Sequence, residues 1–223
     1  IPFFRSKEII EASKGRDISS ELYISNERYE EVKNKFGVPQ IGDILLTSIG
    51  TIGIPFIVKD NTPFYFKDGN LTWFKNYKEI NPSFLYYWIV SPKGQSRIES
   101  SSIGSSQSAL TIDSIKKLQI DLPDLPTQKK IAKILSAYDA KIENNNFIIK
   151  KLEATAQTLF DEWFVNFRFP GHEKVKFADS EMGEIPEGWT IGNIENICNR
   201  LPSGKVFKEN QLSLSGDVPV YDQ

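Results

Sequence analysis

The stretch Thr127–Phe169, set between Leu122-Pro123-Asp124-Leu125-Pro126 and Met182-Gly183-Glu184-Ile185-Pro186-Glu187-Gly188-Trp189, reads as one long helix and divides the chain into module, spacer and module. Within it Leu135, Tyr138, Ile142, Asn145, Ile149, Leu152, Ala156, Leu159 and Trp163 recur in steps of three and four, the seam of a coiled coil. Asn145 is the polar exception, placed where a buried amide weakens a seam but fixes its register and partner. Lys141, Glu143, Lys150, Lys151 and Glu153 keep the outer face soluble. Leu135 to Trp163 corresponds to a rod of roughly 40 Å at about 1.5 Å per residue, slightly more than one turn of duplex DNA. A helix of this length exceeds what a small core can cover, so the spacing predicts a partner helix rather than packing on its own domain alone.

Composition narrows the chemistry. The 223 residues, 39% hydrophobic and 12% aromatic, suffice for one large or two small cores. No apolar run is long enough to span a bilayer and no basic-then-apolar leader is present, which leads us to expect a soluble, cytoplasmic chain with no membrane contact. One cysteine, Cys198, and one histidine, His172, cannot form an intramolecular disulfide, a cysteine metal cluster or a histidine-dependent serine triad. Residues 1–126 hold 15 basic against 15 acidic residues, and residues 171–223 hold 5 against 9. Bulk charge therefore does not drive nucleic-acid binding, and any DNA contact must come from a local patch or a basic partner.

Along the chain, Ile1–Lys7 reads as strand and turn with neither an initiator methionine nor a helix start, as in the interior of a domain. Asn26–Val32 reads as a capped helix ending near Gly37, Ile44–Ile49 and Ile54–Val58 as strands joined through Gly50-Thr51-Ile52-Gly53, and Asn70–Phe74 as a further strand. Asn81-Pro82 caps a helix through Ile89. Ser100–Ser108 reads as a serine-rich loop, Ile112–Leu118 as a short element and Gln119–Leu122 as a strand. The tail, with Trp189, Ile191–Ile197, Ser203-Gly204-Lys205 and Val218–Tyr221, resembles the opening of another globular domain, so that we expect an interior fragment of a longer protein.

Few motifs bear on chemistry. Asn81-Pro82-Ser83-Phe84 is one substitution from the Asn-Pro-Pro-Tyr/Phe loop of amino-methyltransferases, but it continues directly into a helix and no glycine-rich cofactor loop accompanies it. Gly50-Thr51-Ile52-Gly53 lacks the lysine and helix of a phosphate-binding loop, which leaves a tight turn with Ser48 or Thr51 near a DNA phosphate. In Ser105-Ser106-Gln107-Ser108, glutamine suits adenine and serine suits phosphate or base, while Arg5, with Ser6 and Lys7 beside it, suits guanine. The alternative for each is an ordinary polar loop.

The set of motifs resembles the DNA-specificity subunit of type I restriction-modification systems. The marks are Gly42-Asp43-Ile44-Leu45-Leu46 with Gly50-Thr51-Ile52-Gly53, Pro82-Ser83-Phe84-Leu85-Tyr86-Tyr87, Ile120–Ala132 leading into the spacer helix, Leu159–Phe167 leaving it, and Gly183–Trp189 opening the next domain. The resemblance implies an α+β (mixed α/β) fold: a target-recognition domain (1–126), a coiled-coil spacer helix (127–170) and the beginning of a second recognition domain (171–223). It implies a noncatalytic chain that binds double-stranded DNA; with the loop and seam readings above, contacts are expected at Arg5, Ser6, Lys7, Ser48, Thr51, Ser105, Ser106 and Gln107, and assembly through Leu135, Tyr138, Ile142, Asn145, Ile149, Leu152, Leu159 and Trp163. It further implies two methyltransferase subunits that carry S-adenosylmethionine, restriction subunits that use ATP and Mg, and a second spacer helix in cis or in trans. The rival readings are a coiled-coil scaffold without DNA specificity and a fragment of a self-contained adenine methyltransferase.

Overall fold

The computed structural model describes residues 1–16, 18–66, 69–104 and 109–198. They form two compact units, Ile1–Leu152 and a second from Glu153 onward.

The first unit is built around one strand. β2 (Ile44–Thr47) pairs antiparallel with β3 (Pro55–Ile57) on one side and β5 (Leu71–Phe74) on the other. All four β2 residues are buried. Alternation sends Leu45 to one face, among Phe4, Ile9, Val58, Phe64, Phe66 and Leu71, and sends Ile44 and Leu46 to the other, among Leu85, Trp88, Ile89, Ile98 and Leu110. A strand apolar on both faces thus serves two cores. Asp43 precedes it, accepting from Trp73 Nε1 at 2.8 Å and from Gln40 N at 3.0 Å.

Helices cover both faces. α2 (Asn26–Phe36) is capped by Ser25, whose hydroxyl accepts from Arg28 N, and ends at Gly37 with φ of 81°. α3 (Pro82–Val90) is capped by Asn81, with proline at the first helical position. These elements, β2, β3 and β5 match the sequence reading.

Other expectations fail for identifiable reasons. The first residues do hold a helix start: β1 (Phe3–Phe4) is followed by α1 (Ser6–Ser13), opened at Arg5, whose backbone N–H and guanidinium both donate to the Glu8 carboxylate. β1 finds a parallel partner in β4 (Tyr65–Phe66), a two-residue pairing with no periodicity to reveal it. α4 (Pro92–Ser100) follows α3 after Ser91 alone, where we expected no helix. α5 (Ile112–Lys116) is the short element, but 119–122 is not a strand, and none of the described strands pairs with it.

The long helix α6 (Leu125–Phe160) begins two residues earlier than expected. A wide π turn, Asp161–Val165, closes it before Phe169, because Phe167 adopts a left-handed φ of 55°. In the second unit β6 (Phe177–Ser180) and β7 (Gly183–Pro186) form a hairpin, and α7 occupies Ile194–Ile197. Trp189 packs against Phe164, Phe167 and Phe169, with ring centroids 5.4–6.5 Å apart. The expected elements around Ser203–Lys205 and Val218–Tyr221 lie outside the described residues.

Candidate nucleic-acid interface

The residues proposed from sequence fall into separate places. Ser48 is buried directly after β2, and its hydroxyl is engaged with Leu46 O (3.1 Å) and Thr72 Oγ1 (2.6 Å). Its backbone N–H donates to Asn70 O and its carbonyl accepts from Leu110 N, both at 2.8 Å. Ser48 is therefore a buried strut joining three segments, and of the two residues expected near a DNA phosphate it is Thr51 that stands exposed.

Beyond it, the turn Ser48–Gly53 is held at both ends. Gly53 N donates to Thr47 O, Ile54 N to Thr47 Oγ1, and Gln95 Nε2 to Gly53 O. Gly53 has φ of 80°, and a Cβ there would press on Ile98 and Gln95 at 3.0–3.2 Å, so glycine serves both conformation and close approach. Thr51 stands exposed on this turn.

Ile49 bridges Ala109, and Ile103 and Ala109 exchange two backbone hydrogen bonds of 3.0 and 2.9 Å. The structure thus brings the Thr51 turn, Asn70 and the Ile103–Ala109 pair to one end of the central sheet. Ser105, Ser106 and Gln107 lie outside the described residues. Asn70 and Thr72 were missed by sequence reasoning, since nothing in the strand pattern of 70–74 marks its first residues as neighbours of Ser48.

Arg5, Ser6 and Lys7 are engaged elsewhere. The Arg5 guanidinium binds Glu8 (2.7 Å) and Glu21 (3.2 Å), and Lys7 binds Glu21 (2.7 Å). Ser6 Oγ is buried without a partner. Free cationic forks for guanine are not what this segment presents. Its Arg-x-x-Glu spacing was the available signal that Arg5 belongs to a helix cap.

The Glu8 carboxylate is 1% exposed. Burial pushes it up, but the Arg5 side chain and backbone N–H outweigh burial and hold it below the usual carboxylate range. A lowered folded-state value stabilises the chain above the ordinary glutamate value of about 4.3, and that stabilisation is lost as pH falls through the folded value. We therefore expect Glu8→Gln to lower the melting temperature at neutral pH, and the gap from wild type to shrink on titration below about pH 4 in thermal melts. A gap independent of pH would contradict this account.

The second candidate surface is α6. Leu135, Tyr138, Ile142, Ile149 and Leu152 of the first unit are 38–66% exposed, and Asn145 is exposed among them. In the second unit Leu159 and Trp163 are 46% and 38% exposed. The seam is bare.

No group of acidic, histidine or cysteine side chains suited to a metal occurs among the described residues, and no helix among them is long and apolar enough to cross a membrane. Cys198 is exposed.

The profile of the type I restriction modification DNA specificity domain matches residues 1–154, covering the loop cluster and most of α6 together. The chain belongs to this family. Among curated relatives, the type I restriction enzyme MjaIX specificity subunit of Methanocaldococcus jannaschii is 29% identical over 180 residues, which are 76% of this chain and 40% of that protein. The HindI specificity subunit of Haemophilus influenzae is 32% identical over 174 residues, 75% of this chain and 36% of that one. The fold resembles the crystal structure of a type I restriction-modification S subunit from M. genitalium, with a TM-score of 0.53 at 20% identity over 74% of this chain and 38% of that one. The chain thus spans well under half the length of these specificity subunits.

Proposed function

We propose that this chain is a noncatalytic DNA-recognition part of a type I restriction-modification complex, reading one half of a bipartite target and positioning an adenine-N6 methyltransferase subunit over it. The observation that carries the reading is the single family match running through both the globular module and the helix. In this reading residues 1–126 bind double-stranded DNA, with Thr51 and Gln107 on the recognition loops, and residues 127–170 act as ruler and assembly surface. Two modification subunits carry S-adenosylmethionine, restriction subunits use ATP and Mg, and a second spacer helix, in cis or in trans, covers the seam. The assembly works in the cytoplasm, where the DNA is.

The test is to express the complete parent chain with its methyltransferase in a host free of adenine methylation and map modified adenines genome-wide. A split motif with one fixed spacing, lost when the chain is omitted, supports the proposal. Methylation indifferent to the omission favours a scaffold. In the same assay Gln107→Ala should change the preferred base at one position of one half-site by about 10- to 100-fold, whereas Thr51→Ala should weaken all sites alike. Unchanged preference in both sinks the loop assignment.

A further inference from the structure

α6 carries two different faces. The apolar seam is one. The other lies against the first unit and, with the first turn of the helix, is already occupied. Gln128, 1% exposed, uses its whole amide: Oε1 accepts from Asn81 N (2.8 Å), and Nε2 donates to Pro123 O (2.8 Å) and Glu79 O (3.2 Å). Glu79 supplies that carbonyl from a left-handed backbone with φ of 55°, a conformation costly for a residue with a side chain. Ala132 is buried one turn on, Asp139 accepts from the Tyr87 hydroxyl at 2.7 Å, and Glu143 pairs with Lys59. Positions 132, 139 and 143 follow steps of seven and four, one stripe of a helix displaced by roughly 110° from the seam at about 100° per residue, while Gln128, seven residues before Leu135, holds the first turn in line with the start of the seam.

We propose that Gln128, seconded by Tyr87–Asp139, is a positioning clamp that fixes the tilt and roll of the spacer helix on the recognition module, and that this clamp sets the spacing at which the two half-sites are accepted. The proposal rests on the function given above and deepens it.

The magnitudes favour a clamp of this kind. A tilt of about 5° at one end of a rod of roughly 40 Å displaces the other end by about 3.5 Å, one base-pair rise of about 3.4 Å. Discriminating a spacer from one a single base pair longer therefore demands that the joint hold within a few degrees. An apolar contact alone slides with little penalty. A buried amide with three directed partners does not, because leaving its place strands polar groups out of water. Tyr87 reinforces the joint: burial, and then its bond to Asp139, push the phenol well above its usual range, so it remains a donor throughout the pH range in which DNA is stable.

The test uses the complete parent chain with its methyltransferase and the methylome map described above. Gln128→Met, close in length but without hydrogen bonds, should keep both half-site sequences while losing the single spacing. Sites one base pair longer or shorter should rise to at least about a tenth of the level at native sites. Tyr87→Phe should move in the same direction to a smaller extent. Native spacing selectivity in both variants overturns the proposal, as does loss of half-site sequence preference together with spacing, which is the mark of a merely structural role. Should Gln128→Met fail to yield a soluble complex, Tyr87→Phe decides, since it removes one hydroxyl from a half-buried ring. If the wild-type chain directs no bipartite motif at all, the functional reading fails rather than the clamp.

Discussion

Ile149→Asp is expected to abolish assembly while leaving the chain folded. Ile149 is 51% exposed on its own chain, so the carboxylate meets water in the free protein and the circular dichroism spectrum and melting temperature should barely move. Once a partner helix covers the seam, the same carboxylate is buried without a counter-ion. An uncompensated buried charge costs at least about 3 kcal/mol, which weakens association by at least about 100-fold. Sedimentation velocity of the complete parent chain with its methyltransferase reads this directly. The complex should dissociate at concentrations where wild type remains intact, whichever DNA is present. A variant that assembles normally would remove the seam from the assembly surface and leave the face of α6 that lies against the first unit as its only engaged side.

The second large effect concerns folding. Gly94 lies in the first turn of α4, which follows α3 after Ser91, and the two helices cross there backbone to backbone. A Cβ at Gly94 would overlap the Trp88 carbonyl oxygen and sit 2.9 Å from its carbon and 3.1 Å from Ile89 O. The colliding groups are main chain and cannot rotate away. Gly94→Ala should therefore destabilise the first unit by about 3–5 kcal/mol. At about 2–4 °C per kcal/mol for a domain of this size, the melting temperature should fall by about 10 °C, measured by calorimetry or by a circular dichroism melt. A shift of a degree or two would mean that α3 and α4 separate at little penalty.

Legibility from sequence followed the range of the forces involved. α2 and α3 could be read because their signals are local: Ser25 and Asn81 cap them, Pro82 starts one and Gly37 stops the other. β2 and β3 could be read from apolar runs about a glycine turn. α4 escaped because Pro92, Lys93, Gly94 and Gln95 look like a loop, and the helix is instead fixed by the crossing at Trp88. The strand expected at 119–122 does not form, since a strand exists only where another offers its edge. The candidate site residues divide in the same manner. The seam was legible because periodicity survives without a partner. Ser48 was not, because only the closure of the sheet against Asn70 and Leu110 buries it. The pairing of Arg5 with Glu8, three residues away, is local and legible in the spacing, whereas its second partner, Glu21, is not. Gln128 lies in a stretch that the family resemblance marks, yet its partners at Glu79 and Asn81 are far off in sequence.

The supports of the loop cluster have a consequence of their own. Ser48 joins Asn70 and Leu110 through peptide groups, and Ile103 meets Ala109 in the same way. Supports made of peptide groups are blind to side-chain identity, so an exposed residue such as Thr51 is at liberty to change while the frame beneath it stays put. In the proposed reading such a protein resembles a pen with an exchangeable nib: one handle would serve many scripts, and the same indifference that would permit new target sequences denies the reader any fixed alphabet linking loop residues to bases.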